Sequence, residues 1–332
     1  MIITRTPFRV TLGGGGTDLP SYYEKHGGFV FSVGIDKYMV VTVNRSMLDD
    51  LIRLKYSKTE VVGKLSELKH NIAREALRFT GIDKAIEVNS IADISAGTGL
   101  GSSSSYTVGL LHALHTLKRD YVTPQELAEE DFKIEREILG RPIGKQDPYL
   151  AAFGGMFVME IATDGKVAYR RANVSDGTAD DLNRNLMIFF TGKTRSADEI
   201  LKEQEAGVDK EVDQKKREVT ESLHYIKQIG YEILEAVEDG NLDKIGKLFD
   251  AHWQHKKHTS SKMTNPEFDK IYALAKESGA LGGKISGAGG GGFFTFYVPE
   301  NHAQFTQTME KLGLRHMRYR FDFEGSKVLV NT

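Results

Sequence analysis

The chain is expected to fold as an α+β protein in two parts, and three observations carry this. Short apolar or alternating runs of strand length fill much of the first 190 residues, with helical patterns among them. From residue 196 to residue 278 the pattern is helical, and strand-like runs then return. Glycine, 34 residues in all, gathers near residues 13, 99 and 289, each time behind a strand-like run. That placement marks loops rather than linkers. At 332 residues the chain can hold two domains sharing one interface, or one large domain.

Residues 2–12 read as a strand that runs into Gly13-Gly14-Gly15-Gly16-Thr17-Asp18. Four consecutive glycines cannot hold regular structure, so they turn tightly or lie against a ligand. Asp18 is an acceptor for sugar hydroxyls or a cap for the helix begun by Leu19-Pro20. Strands follow at 29–33, 38–44 and 51–56. Residues 65–79 have helical spacing on Leu65, Leu68, Ile72, Ala76 and Phe79, with Gly81 as the stop. A strand at 86–90 leads into the central loop, and 102–118 reads as a helix.

Thr123-Pro124-Gln125-Glu126 is a capping box with proline at the first helical position, so a helix is expected to Leu139 with Gly140 behind it. Glu129, Glu130 and Asp131 are read as its solvated face. A loop at 141–147 precedes a short helix to Phe153. Strands are expected at 156–161 and 167–170, joined by Asp164-Gly165, and at 186–190. Helical patterns cover 196–201, 209–240, 242–257 and 266–278. A strand at 284–286, the loop 287–292, a strand at 293–298, a helix at 300–312 and a closing strand pair at 316–323 and 326–330 complete the chain. His252, His255 and His258 share a helical spacing and are read as a solvated face.

Composition excludes several classes. A formal net charge of −2 gives no electrostatic case for nucleic acid or an acidic membrane surface. With no cysteine there is no disulfide, thiol catalysis or cysteine-based zinc site. The first residues lack the apolar core of a signal peptide, and no run reaches the roughly 18 apolar residues of a membrane span. A cytoplasmic protein is expected, with its oligomeric state open and a homodimer among the alternatives.

The most specific stretch is Gly97-Thr98-Gly99-Leu100-Gly101-Ser102-Ser103-Ser104-Ser105. Three alternating glycines let the backbone approach a ligand with its N–H groups exposed. The serines fall on a first helical turn, where unpaired N–H groups and the helix dipole attract an anion. A polyphosphate, with Mg²⁺ on a serine hydroxyl, suits such a site. Two other phosphate loops fail. Gly192-Lys193-Thr194 lacks the earlier glycine of a Walker loop, since Met187 stands there, and the glycines at 287–292 open a strand instead of a helix.

Together with Thr6-Pro7-Phe8-Arg9-Val10-Thr11-Leu12 and Lys284-Ile285-Ser286-Gly287-Ala288-Gly289-Gly290-Gly291-Gly292, this loop resembles the three motifs of the GHMP small-molecule kinases, in the same order and over nearly the whole chain. The resemblance implies an N-terminal domain of ribosomal-S5-like type over 1–185 and a ferredoxin-like C-terminal domain over 186–332, with ATP·Mg²⁺ and substrate between them. It implies that Gly97, Gly99, Leu100, Gly101, Ser102, Ser103 and Ser104 bind the ATP phosphates, and that Ser103 and Glu135 hold the metal, with Glu137 as a rival to Glu135. Asp147 becomes the catalytic aspartate with Arg9 beside it. Gly14, Gly15, Gly16, Thr17, Asp18, Gly287, Ala288, Gly289 and Gly290 become substrate-binding.

Galactokinases carry Gly-Glu-His-Thr-Asp where this chain has Gly14-Gly15-Gly16-Thr17-Asp18. The stretch looks instead like the subgroup acting on D-glycero-D-manno-heptose 7-phosphate, with L-fucokinase domains as relatives. That implies phosphorylation of the anomeric hydroxyl to a 1,7-bisphosphate, in nucleotide-heptose synthesis for surface polysaccharide. The alternatives are a kinase of a free monosaccharide such as L-fucose and a non-catalytic sugar or ATP sensor. Lys193 and Arg195, flanking Thr194 before Ser196, are candidates for the substrate's own phosphate by residue type, against a solvated basic turn.

Overall fold

The structure, a computed structural model, describes residues 1–194, 197–208 and 214–332, with backbone alone at 197 and 214–217. Its elements are β1 (Ile2–Gly13), α1 (Pro20–His26), β2 (Gly28–Arg45), β3 (Ile52–Lys55), β4 (Thr59–Val62), α2 (Asn71–Phe79), β5 (Ile86–Ala92), α3 (Ser102–Lys118), α4 (Pro124–Phe132), α5 (Gln146–Phe153), β6 (Met156–Ile161), β7 (Val167–Arg171) and α6 (Asp176–Asn185). They continue with β8 (Leu186–Phe190), α7 (Ala197–Val208), α8 (Gln214–Glu238), α9 (Leu242–Lys256), α10 (Pro266–Glu277), β9 (Gly282–Ile285), β10 (Phe293–Tyr297), α11 (His302–Lys311), β11 (Arg315–Met317), β12 (Phe321–Asp322) and β13 (Lys327–Asn331).

β1 and β2 are the long antiparallel spine of the first sheet, whose main path runs β13-β1-β2-β5-β3-β4, with β6 and β12 also on β2. Phe8, Val10 and Leu12 alternate into the core, as one covered face requires. α3 crosses this sheet, and its Val108, Leu110, Leu111 and Leu114 are fully buried there. The second sheet, antiparallel, runs β11-β8-β10-β9. In chain order its strands stand 4-1-3-2, the ferredoxin-like arrangement. Its core is aromatic, built on Phe189, Trp253, Phe268, Phe294, Phe296 and Phe305.

Four differences from the sequence reading have local causes. The strands expected at 29–33 and 38–44 are one strand, β2, because Ile35 and Gly34 pair with β12 and carry the ladder across the polar interruption. The helix expected at 65–79 is a 3₁₀ turn at Leu65–Glu67 followed by α2. The Glu60 carboxylate accepts from the N–H groups of Lys69 (2.7 Å) and His70 (3.1 Å), which holds the chain extended between them. α6 was not anticipated; Ser175 caps it by accepting from Thr178 N–H at 3.1 Å. The closing strands do not pair with each other: β11 joins the second sheet, β12 pairs β2 and β13 pairs β1. The chain therefore ends back in the first sheet.

α8 ties the two parts together. Its Ile229, Ile233 and Val237 enter the first core, and Gly230 lies directly on the first glycine loop. A Cβ on Gly13 would come within 2.7 Å of the Gly230 Cα.

Candidate active site

The three glycine loops meet at one place because two of them have no side chains at the contact. A Cβ on Gly287 would stand 2.5 Å from the Gly99 Cα, and one on Gly99 would stand 2.6 Å from the Ser286 carbonyl oxygen. The Arg9 N–H donates to the Leu100 carbonyl at 3.1 Å, which sews β1 to the central loop. Gly101 takes φ +80° and hands the chain to α3, so the N-terminus of a 17-residue helix opens on a cleft of about 320 Å³. Gly97, Gly99, Gly101, Ser102, Ser103 and Ser104 line that cleft.

Arg9 and Asp147 form a two-bond ion pair inside it. Arg9 Nε donates to Asp147 Oδ1 at 2.7 Å and Nη2 donates to Oδ2 at 2.9 Å. The third arm, Nη1, donates to the Gly99 carbonyl at 2.6 Å. Arg9 is 5% exposed while the Asp147 side chain keeps 31% of its surface open to the cleft, and the guanidinium's fork geometry fixes the carboxylate plane. Gln146 Nε2 adds a bond to Asp147 Oδ1 at 2.9 Å.

Asp18 lines the same cleft and caps a helix, though not the one that follows it. Its Oδ2 accepts from the N–H of Gln146, in the first turn of α5, at 3.1 Å, and Oδ1 accepts from Gly16 N–H at 3.0 Å. The first glycine loop is thereby fastened to the helix that carries Asp147. Burial raises the Asp18 carboxyl above its ordinary range, against the hydrogen bond from Gln146. Gly144 leaves room for this: a Cβ there would fall 2.1 Å from Asp18 Oδ2.

The two expected metal ligands are together. Ser103 Oγ donates to Glu135 Oε2 at 2.6 Å, and Thr107 Oγ1 donates to Oε1 at 3.2 Å. Glu135 is fully buried, whereas Glu137 is exposed. The helix expected to run to Leu139 turns π-helical over Lys133–Ile138, a distortion often found at functional sites. Arg141 Nη1 donates to Ser103 Oγ at 2.7 Å and also to Glu135 Oε2. A cation already rests on this oxygen pair, and a hydroxyl with a carboxylate is the hard-oxygen donor set that Mg²⁺ takes. The pair fits the metal.

Not every expected residue reaches the cleft. Gly14 is packed on Phe29, and Thr17 is buried with its hydroxyl donating to the carbonyls of Gly14 and Phe29 at 2.8 Å each. Leu100 is buried in the first core. Gly289 and Gly290 face Met263, whose carbonyl accepts from Gly290 N–H at 3.0 Å. These five shape the loops, while Gly15, Gly16, Asp18, Gly287 and Ala288 line the cleft. Lys193 is not in the lining; its ammonium pairs with Glu267 at the surface, which occupies the charge proposed for a phosphate. Arg195 and Ser196 lie outside the described residues.

Some site residues escaped the sequence. Asp131 is not on a solvated face: it is fully buried beside Glu135, and that burial holds its carboxyl well above the ordinary range. Its spacing of four from Glu135 was the available signal. Arg141 stood unremarked in a loop. His252 was read as solvated but is 1% exposed and lines the cleft with Lys256 and Lys284.

Known proteins are similar to this chain over its full length. The GHMP kinases N terminal domain matches residues 63–155 and the GHMP kinases C terminal domain matches residues 233–308. A D-glycero-alpha-D-manno-heptose 7-phosphate kinase from Campylobacter jejuni is 32% identical over 338 residues, covering 98% of each chain. A galactokinase from Pyrococcus furiosus is 25% identical over 362 residues, covering 99% of this chain and 97% of its own. A crystal structure of a D-glycero-D-manno-heptose 1-phosphate kinase from Bacteroides thetaiotaomicron superposes with a TM-score of 0.81 over 100% of both chains at 22% identity, a likeness of fold. With both domains matched and a full-length relative above 30% identity, the chain belongs to the GHMP kinases and is an ATP-dependent kinase.

Proposed function

We propose that this kinase transfers the terminal phosphoryl group of ATP to the anomeric hydroxyl of D-glycero-D-manno-heptose 7-phosphate, giving the 1,7-bisphosphate. The observation that carries the reading is the Arg9–Asp147 pair, held where all three glycine loops meet. The full-length similarity to a heptose 7-phosphate kinase supports the choice of sugar. So does the first loop, which lacks the glutamate and histidine that galactokinases carry.

The central loop and Ser102 to Ser104 receive the ATP phosphates on exposed N–H groups and hydroxyls at the positive end of α3. Ser103 and Glu135 would hold Mg²⁺, which supplies charge neutralisation on the phosphate oxygens. Arg141 holds this oxygen pair in its place, and Asp198, 3.6 Å from its Nη2, is a second partner for the guanidinium should the metal take Ser103 and Glu135. Asp147 accepts the proton of the anomeric hydroxyl as that oxygen bonds to phosphorus and the bond to ADP breaks. Arg9 keeps the carboxylate in place by three hydrogen bonds, one of them to the central loop itself. Asp18 positions the first loop against the sugar through its tie to α5.

The test is ATP consumption by the purified protein against a panel of free sugars and sugar phosphates. Turnover with the heptose 7-phosphate well above that with L-fucose, galactose and free heptose is expected. Efficient use of L-fucose or another free sugar in its place would give the alternative reading. No turnover with any sugar, but binding of ATP, would leave a sensor.

A further inference from the structure

The C-terminal wall of the cleft carries a cluster of basic side chains with no carboxylate paired to it among the described residues. His252 and Lys256 are one turn apart on α9, and Lys284 lies on β9. Lys284 is 3% exposed; its Nζ donates to the Leu12 carbonyl at 2.5 Å and stands 4.7 Å from the Phe249 ring centre. Lys256 Nζ donates to the carbonyls of Ile285 (2.9 Å) and Gly287 (2.7 Å). His252 is buried, and among the described residues neither ring nitrogen has a hydrogen-bond partner. Among the described residues no carboxylate pairs with either lysine, and the nearest cation, Arg9, is committed to Asp147.

Like charges gathered out of water repel one another and lose hydration. Burial and the neighbouring cations push all three groups down, Lys256 to about 7 and His252 and Lys284 well below their ordinary values. Anchoring the third glycine loop explains one lysine. It does not explain a second lysine and an unpartnered histidine lining the same cleft. A dianion in the cleft would accept the free ammonium protons and the imidazole N–H, and would remove the repulsion.

We propose that His252, Lys256 and Lys284 form the subsite for the acceptor's own phosphate, a phosphomonoester dianion. This rests on the reading of the acceptor as a sugar phosphate. The transferred phosphoryl group is the other anion in the cleft, but the N–H groups of the central loop and the α3 N-terminus already serve it.

The experiment compares kcat/KM for D-glycero-D-manno-heptose 7-phosphate and for unphosphorylated D-glycero-D-manno-heptose in wild type, Lys284→Met, Lys256→Met and His252→Asn. Wild type is expected to favour the phosphorylated acceptor. Each lysine variant should lose roughly 10- to 100-fold on it, mostly in KM, and change little on the free sugar. His252→Asn should lose less, in the same direction. Inorganic phosphate should compete with the phosphorylated acceptor in wild type and lose that effect in Lys284→Met. A wild type indifferent to the phosphate removes the sugar-phosphate reading, and the subsite with it. A wild type that discriminates, with variants that lose equally on both acceptors or on neither, removes the subsite alone. Deleting an unpaired buried charge is not expected to unfold the protein; should Lys284→Met fail to fold, Lys256→Met and His252→Asn carry the same readout.

Discussion

On the N-terminal wall of the cleft the charged groups come with partners. Arg9 grips Asp147, Arg141 rests on Glu135 and Ser103, and Asp18 is fastened to the first turn of α5. On the C-terminal wall His252, Lys256 and Lys284 face the same space with carbonyl partners or none. Paired groups are oriented before substrate arrives, so that wall is suited to chemistry, where reorganisation during the reaction would cost rate. Basic groups with no carboxylate partner among the described residues are incomplete until an anion arrives, so the other wall is suited to recognition. Substitutions on the two walls should therefore differ in kind: kcat effects on the first, acceptor-selective KM effects on the second.

The largest effect is expected from Asp147→Asn. Turnover should fall by roughly 10²–10⁴-fold, the usual range for a general base, while nucleotide binding followed by fluorescence is retained. Near wild-type turnover would take Asp147 out of the mechanism and break the contrast at its centre.

Next come the proposed metal ligands. Glu135→Gln and Ser103→Ala should each raise the Mg²⁺ concentration for half-maximal activity by at least the roughly 10-fold that outer-shell changes produce. Calorimetry of Mg²⁺ binding to the ADP complex should show the same weakening. Glu137→Gln, at an exposed position, should leave both unchanged; a shift there would move the metal site.

A smaller effect sharpens the idea of a preassembled wall. Gly144→Ala places a methyl on the Asp18 carboxylate and should separate the first loop from α5. Overpacking of this kind costs about 1–3 kcal/mol in urea unfolding, and kcat/KM should fall with it. Full stability and full activity together would mean that Asp18 does not need α5. The smallest effect belongs to the control, Thr123→Ala, which removes a cap accepting from Glu126 N–H at 3.2 Å. It should lose about 0.5–2 kcal/mol of stability with turnover unchanged.

Much of the first wall was legible in the sequence because its signals are local. Alternating glycines and a serine run announce a loop that opens a helix, and α3 starts and ends where the pattern places it, at Ser102 and Lys118. The capping box at Thr123 and Glu126 is formed on both sides. Asp147 and Arg9 could be named from motifs, but their two-bond contact across 138 positions could not. The second wall was not legible because burial of a charged residue leaves no periodic trace. His252 sits at a spacing that equally suits a solvated face, and only the packing of α9 against β9 turns it inward. The return of β13 to β1 was hidden for a related reason: two adjacent strand-like runs suggest a hairpin, and nothing local says that each pairs with a different strand.

The most direct measurement follows the reaction itself. Purified protein, ATP, Mg²⁺ and D-glycero-D-manno-heptose 7-phosphate should give, in ³¹P NMR, ADP and one new sugar phosphate resonance that couples to the anomeric proton, with the 7-phosphate intact. An unchanged sugar spectrum while a free monosaccharide is phosphorylated under the same conditions, or a new phosphate on any other hydroxyl, would contradict the assignment of Asp147 to the anomeric oxygen of a sugar phosphate.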